Sequence, residues 1–188
     1  SVTQKSSNGA FVRLEQVVGL EPVIDMAKRL GVTTDLQPNL SLTLGVESVP
    51  LIQMAAAYAA IPNGGIFNPS YMIDRIEDRD GNVIYEHESE SSREFSEDTA
   101  CYTTSILVDN VKYGTGTRAR LAKMPSAGKT GTTEKNTDAL FVGFTPHITT
   151  AIWMGAPEVN PWTGQLATMQ NLNGVANLGG TYPAMMWK

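Results

Sequence analysis

The chain has 188 residues, 41% of them apolar and 18% charged, which is the composition of one globular domain with a core and not of a disordered segment. Fourteen basic against nineteen acidic residues give a net charge of −5, so no basic face is available to neutralise phosphates and a nucleic-acid partner is excluded. The single cysteine, Cys101, excludes an intrachain disulfide framework and a cysteine-rich zinc site, and no run approaches the ~20 apolar residues of a bilayer span. The start at Ser1-Val2-Thr3 has neither an initiator Met nor a signal-peptide pattern, as expected of a processed piece.

Phe11, Leu14, Val17 and Val18 recur at helical spacing and predict an amphipathic helix over 9–18, capped by Ser7 or Asn8 and ended by Gly19. A second helix is predicted over 22–30, with Val23, Ala27 and Leu30 on one face and Gly31 as its stop. A third starts near Pro50 and runs to Ala60, its small side chains suited to a crowded core, before Pro62-Asn63-Gly64-Gly65 breaks it. Apolar runs at 71–76 and 83–85 flank Asp80-Gly81, a hairpin signal. The stretch 86–98 holds six acids against one arginine, as much charge as the whole chain's net, and reads as a solvated loop. Ser96-Glu97-Asp98 then opens a helix toward Gly114, with Ile106, Leu107 and Val111 as its apolar positions.

Three strands are predicted over 124–133, 139–145 and 148–155, followed by a Pro, Asn and Gly-rich surface loop over 156–178 and a closing helix over 182–187. Helices first and neighbouring strands after them indicate α+β and not an alternating parallel sheet. Three strands make a small sheet for this length, so strand partners are expected outside the chain.

The run Gly128-Lys129-Thr130-Gly131-Thr132-Thr133 is the most informative. It is not a phosphate loop: that motif needs a glycine five residues before its Gly-Lys pair, and position 123 is Lys. On a strand, Lys129 keeps a positive charge over a pocket, and the hydroxyls of Thr130 and Thr132 can bind a carboxylate. Gly131 lets a ligand lie against the backbone as an added strand. An edge strand guarded by a lysine explains the same three residues without any ligand. Upstream, Ser6-Ser7-Asn8 forms a Ser-x-Asn set, which taken alone is an ordinary helix cap.

Together these motifs resemble the transpeptidase domain of penicillin-binding proteins, and the class A (bifunctional) group above all. The Lys-Thr-Gly strand is a motif of penicillin-recognising serine enzymes. Asp138 to Pro146 and Thr149 to Gly155 resemble the two strands that follow it, Gly179 to Ala184 the entry to the closing helix, and Met54 to Gly65 a helix-and-turn segment. The doublet Thr132-Thr133 points to class A. The resemblance implies a penicillin-binding, serine β-lactamase-like fold, an antiparallel sheet flanked by helices, present here in part as the C-terminal portion of one domain over 1–188. It implies catalytic roles for three residues. Ser6 relays a proton, Asn8 holds the substrate amide, and Lys129 is the cationic partner of Ser6. Thr130, Gly131, Thr132 and Thr133 form the substrate and β-lactam-binding strand, with the backbone N–H of Thr132 as an oxyanion donor.

The family's nucleophile, the serine of a Ser-x-x-Lys helix, lies upstream of Ser-x-Asn, and only five residues precede Ser6. Ser126-Ala127-Gly128-Lys129 fits the pattern but is rejected: on a strand, residues i and i+3 stand ~10 Å apart on opposite faces. The expected partners are therefore an N-terminal complement carrying the nucleophile, peptidoglycan stem peptides and β-lactams. A membrane enters only through an upstream anchor, on the extracytoplasmic face of the bacterial cell membrane. No cofactor or metal is expected, since His87 in the acidic run and His147 in a turn read as solvated side chains. The implied reaction is D,D-transpeptidation through a serine acyl-enzyme. A serine β-lactamase or D,D-carboxypeptidase, and a non-catalytic sensor of β-lactam or peptide, are the competing readings. Gly114-Thr115-Gly116-Thr117 reads either as a helix end or as the border of a ligand groove. Cys101, Trp153 and Trp187 are expected in packed positions, and Trp162 exposed.

Overall fold

The computed structural model describes residues 1–156, 159, 161–164 and 167–188. The predicted loop over 156–178 falls partly on residues 157, 158, 160, 165 and 166, which lie outside the described residues. Two helices open the chain, α1 (Asn8–Val18) and α2 (Leu20–Arg29), joined at Gly19 with φ +95°. Ser7 occupies the N-cap position of α1, but its side chain makes no capping bond. α3 (Leu51–Ala59) follows, and β1 (Ile66–Phe67) comes directly after its terminating turn.

β2 (Arg75–Glu77) and β3 (Val83–Glu86) form the expected hairpin. Its turn is held by Asp78, whose carboxylate accepts from the N–H groups of Asp80 and Asn82 and from Asn82 Nδ2, all within 2.9 Å. The acidic stretch is not wholly a solvated loop, because β4 (Ser92–Arg93) pairs with β1 and Glu94 turns back to bind Arg29 at 2.7 Å. Pairing even a short, exposed strand with a partner holds a charged segment that composition alone assigns to an unpaired loop.

α4 (Glu97–Tyr113) starts as its cap predicts: Ser96 Oγ accepts from Thr99 N–H at 3.2 Å. Its inward face is Ala100, Leu107, Asn110 and Val111. Cys101 follows Ala100 by one residue, about 100° around the helix, and is exposed, which corrects its expected burial.

The sheet is β5 (Ala127–Thr132), β6 (Asp138–Phe144) and β7 (Thr149–Gly155), antiparallel throughout, with Lys129 opposite Val142 and Phe141 opposite Ile152. The closing helix α5 is Tyr182–Trp187. Two cores cover the two faces. Phe141 packs with Val111, Ala119 and Ala184, and Trp187 meets Phe141 edge to face at 5.4 Å. On the other face Phe144 and Ala127 pack with Leu107, Tyr58 and Ile61. A third cluster, Val32, Leu36 and Leu42 under Val23, Ile24 and Ala27, seats α2. Trp153 is 45% exposed, with Nε1 donating to Asp138 Oδ1 at 2.9 Å, so it is an edge residue and not a core one.

The α1 stripe behaves unlike its periodicity. Leu14, Val17 and Val18 are exposed, Val17 to 84%, while the one buried residue of the helix is Glu15. Glu15 Oε1 accepts from Thr43 N–H at 3.1 Å. α3 buries no residue fully within its own span, but Ala60 just past its end is fully buried and Tyr58 packs into the Phe144 cluster, so the close packing expected around its alanines is present against the sheet.

Candidate active site

Among the described residues β5 is an edge strand, with β6 on one side only. Thr133 N–H donates to Asp138 O at 3.0 Å, which fixes the parity of the ladder: odd-numbered residues of β5 turn their N–H and C=O toward β6, and Gly128, Thr130 and Thr132 turn theirs to the open edge. Two of those outward carbonyls are occupied from within the chain. Asn110 Nδ2 donates to Gly128 O at 2.8 Å, and Lys129 Nζ donates to Thr130 O at 2.8 Å. The N–H and C=O of Thr132 remain facing outward at the end of the strand.

Side chains alternate across the same strand. Lys129 projects to the face covered by Tyr58 and Ile61, where burial pushes its ammonium below the ordinary lysine value of 10.5. Its Nζ donates to Ser6 Oγ at 2.7 Å, joining the N-terminal turn to the sheet. Ser6 is held there in the left-handed region, with φ +49°, by Ser6 N–H to Thr3 O and Ser7 N–H to Val2 O, both 3.1 Å. A further bond from Thr115 N–H to Gln4 O, also 3.1 Å, ties this turn to the end of α4. Asn8 is exposed at the first position of α1 and makes no side-chain hydrogen bond among the described residues.

Thr130 and Thr132 project to the opposite face. Thr130 Oγ1 lies 2.7 Å from Thr115 Oγ1, and Thr132 Oγ1 accepts from Gly179 N–H at 3.0 Å. Gly131 has no packing need for glycine: an added Cβ would stand 3.5 Å from Leu140 Cβ, ordinary contact. Gly179 is different, since a Cβ there would overlap the backbone of Gly131 and Leu140 O. Thr133 is the first residue of the turn after β5, and its Oγ1 bonds Thr137 Oγ1 at 2.8 Å and Asp138 N–H at 2.8 Å.

The structure thus brings Ser6 to Lys129 on one face of β5 and sets Thr130 and Thr132 on the other, with Thr133 engaged in the turn, while the Asn8 side chain bonds none of them. Ser126 is buried, with Oγ directed to Ala119 O and no bond to Lys129. Sequence reasoning left Thr115 undecided and missed Asn110. The signal for Asn110 was an amide at a position on the same helical face as Leu107 and Val111. His87 is half-buried and stacks on Tyr71 at 3.7 Å, whereas His147 is exposed. Among the described residues no group of three or more His, Cys, Asp or Glu side chains is placed to hold a metal ion. A hollow of about 350 Å³ lies on the hairpin, lined by Tyr71, Met72, Ile73, Ile76 and Tyr85; it contains none of the candidate residues.

The site is thus an edge strand with a lysine, two hydroxyls and an outward N–H, beside a serine. Comparison with known proteins bears on that directly: residues 1–161 match the penicillin binding protein transpeptidase domain. The chain belongs to the penicillin-binding protein transpeptidase family. Penicillin-binding protein 1A of Aquifex aeolicus is 37% identical over 150 residues, covering 80% of this chain and 20% of that protein. PonA1 of Mycobacterium tuberculosis superposes with a TM-score of 0.86 at 26% identity, covering 100% of this chain and 53% of that one. The same protein in complex with penicillin V gives a TM-score of 0.84 at 26% identity. The chain therefore spans about a fifth to a quarter of the curated relatives it matches, and about half of the PonA1 chain. As in those penicillin-binding proteins, the fold is α+β, an antiparallel sheet with helices on both faces, here in part. Among the described residues no helix is long and apolar enough to cross a membrane.

Proposed function

We propose that this chain is the C-terminal portion of a D,D-transpeptidase domain that cross-links peptidoglycan stem peptides through a serine acyl-enzyme and is inhibited by β-lactams. The observation that carries the reading is the 2.7 Å bond from Lys129 Nζ to Ser6 Oγ beside the open edge of β5. A desolvated lysine, its ammonium destabilised by burial, can hold the serine hydroxyl and take part in proton transfer.

The substrate lies along β5 as an added strand. Its carboxylate meets the hydroxyl side of the strand, and the scissile carbonyl oxygen points at the outward Thr132 N–H, which stabilises the oxyanion. Ser6 passes a proton between nucleophile and leaving group, and Asn8 binds the substrate amide. Gly131 admits the ligand against the backbone, and Thr133 holds the following turn so that the Thr132 N–H keeps its aim. The nucleophile is a serine of a Ser-x-x-Lys segment N-terminal to this chain, and the exposed stripe of Leu14, Val17 and Val18 is part of the surface on which that segment's domain half packs. The whole enzyme works at the extracytoplasmic face of the bacterial membrane, anchored upstream.

Labelling of the full-length protein with a fluorescent penicillin, followed by digestion and peptide mass measurement, tests this reading. Label on a serine upstream of Ser1 is the expected result. Label on Ser126 or Ser6, or none at all, would overturn the assignment of the nucleophile.

A further inference from the structure

The hydroxyls of Thr130 and Thr132 look equivalent from the strand, but their surroundings give their protons different destinations. Asn110 is fully buried in α4. Its Nδ2 donates to Gly128 O at 2.8 Å, so its Oδ1 is the atom turned toward Thr115, 3.2 Å away. A carbonyl oxygen only accepts, and a threonine hydroxyl has one proton to give. The Thr115 proton therefore goes to Asn110 Oδ1, because leaving that buried acceptor unpaired is the costly alternative. Having spent its proton, Thr115 Oγ1 can only accept from Thr130 Oγ1, 2.7 Å away. Thr132 is the reverse case: it accepts the Gly179 N–H at 3.0 Å, and its own proton is free.

We propose that Asn110 and Thr115 are positioning residues that lock the Thr130 proton inward, so that Thr132 alone donates a hydroxyl proton to the ligand carboxylate while Thr130 presents lone pairs. The assignment rests on the functional reading above. It divides between two roles a pair of hydroxyls that the strand motif makes look alike.

The test compares acylation of the full-length protein by a penicillin with a free carboxylate and by its methyl ester, taking the ratio of the two rates. Losing a hydrogen bond to a charged group lowers the acid-to-ester ratio about tenfold or more in Thr132→Val. In Thr130→Val the ratio stays within about threefold of the parent. Thr115→Val frees the Thr130 proton and leaves the ratio at or above the parent's, and Thr115→Ser keeps the parent value. A merely structural role for Thr115 changes both rates together and leaves the ratio of Thr130→Val free to fall. A drop in Thr130→Val comparable to that in Thr132→Val would overturn the proposal. So would a drop in Thr115→Val, which carries the test if Thr130→Val does not fold. Absence of acylation of the parent by either compound would instead remove the functional reading, and this assignment with it.

Discussion

Lys129 and Ser6 are 123 positions apart in sequence, and Lys129 Nζ donates to Ser6 Oγ at 2.7 Å. The bond joins a half-buried cation on the sheet to a hydroxyl on a turn that carries no regular structure of its own. Removal of either group breaks the proposed proton relay. Lys129→Ala and Ser6→Ala are each expected to slow penicillin acylation of the full-length enzyme by about 100-fold or more, read by stopped-flow or quench.

The same lysine imprints a pH dependence on folding. Its folded pKa lies below 10.5 because burial disfavours the ammonium. Between the two values the unfolded state binds the extra proton, so stability rises with pH across that window. Below it, the burial penalty is carried in full. Lys129→Met should flatten this alkaline rise in melting temperature; an unchanged slope would show that another group causes it.

Ser6 sits at φ +49°, where a Cβ is strained. Ser6→Gly and Ser6→Ala both delete the hydroxyl and should be equally inactive. The glycine variant should nevertheless be the more stable by about 1 kcal/mol, measured by denaturant unfolding.

Two glycines near the strand end should respond oppositely. Gly131→Ala meets only ordinary contact with Leu140, so the melting temperature should barely move while acylation falls, because the added methyl occupies ligand space. Gly179→Ala overlaps the Gly131 backbone and pulls its N–H off Thr132 Oγ1. That change should cost about 1–3 kcal/mol of stability as overpacking.

Arg29 and Glu94 join α2 to the segment after β4, with Nε to Oε2 at 2.7 Å and a second bond from the guanidinium to Glu94 O. Hydrogen bonds from Ser92 and then Arg29 hold the Glu94 carboxyl below its ordinary value of 4.5. Its contribution is thus complete above 4.5 and disappears as pH falls through the lowered value. Glu94→Gln should remove this part of the acid-side loss in a pH series of thermal melts.

Local pattern alone located most elements, since each carries its own signal. Ser96 and two acids start α4, Asp80-Gly81 turns the hairpin, and the strand expected over 124–133 contains β5 with its lysine. Helix and strand periodicity depend on neighbours a few residues away, and those are in the sequence. The candidate site was legible as a set of residue types, through Lys129, Thr130, Thr132 and Ser6.

What the tertiary structure decided is which of these groups meet and what each is free to do. No periodicity reveals that β4 draws part of the acidic stretch into a pair with β1. Nor does spacing distinguish Thr130 from Thr132: the difference comes from Asn110, Thr115 and Gly179, brought up by separate elements. A hydroxyl has one proton, and only the packing of distant segments determines where it goes.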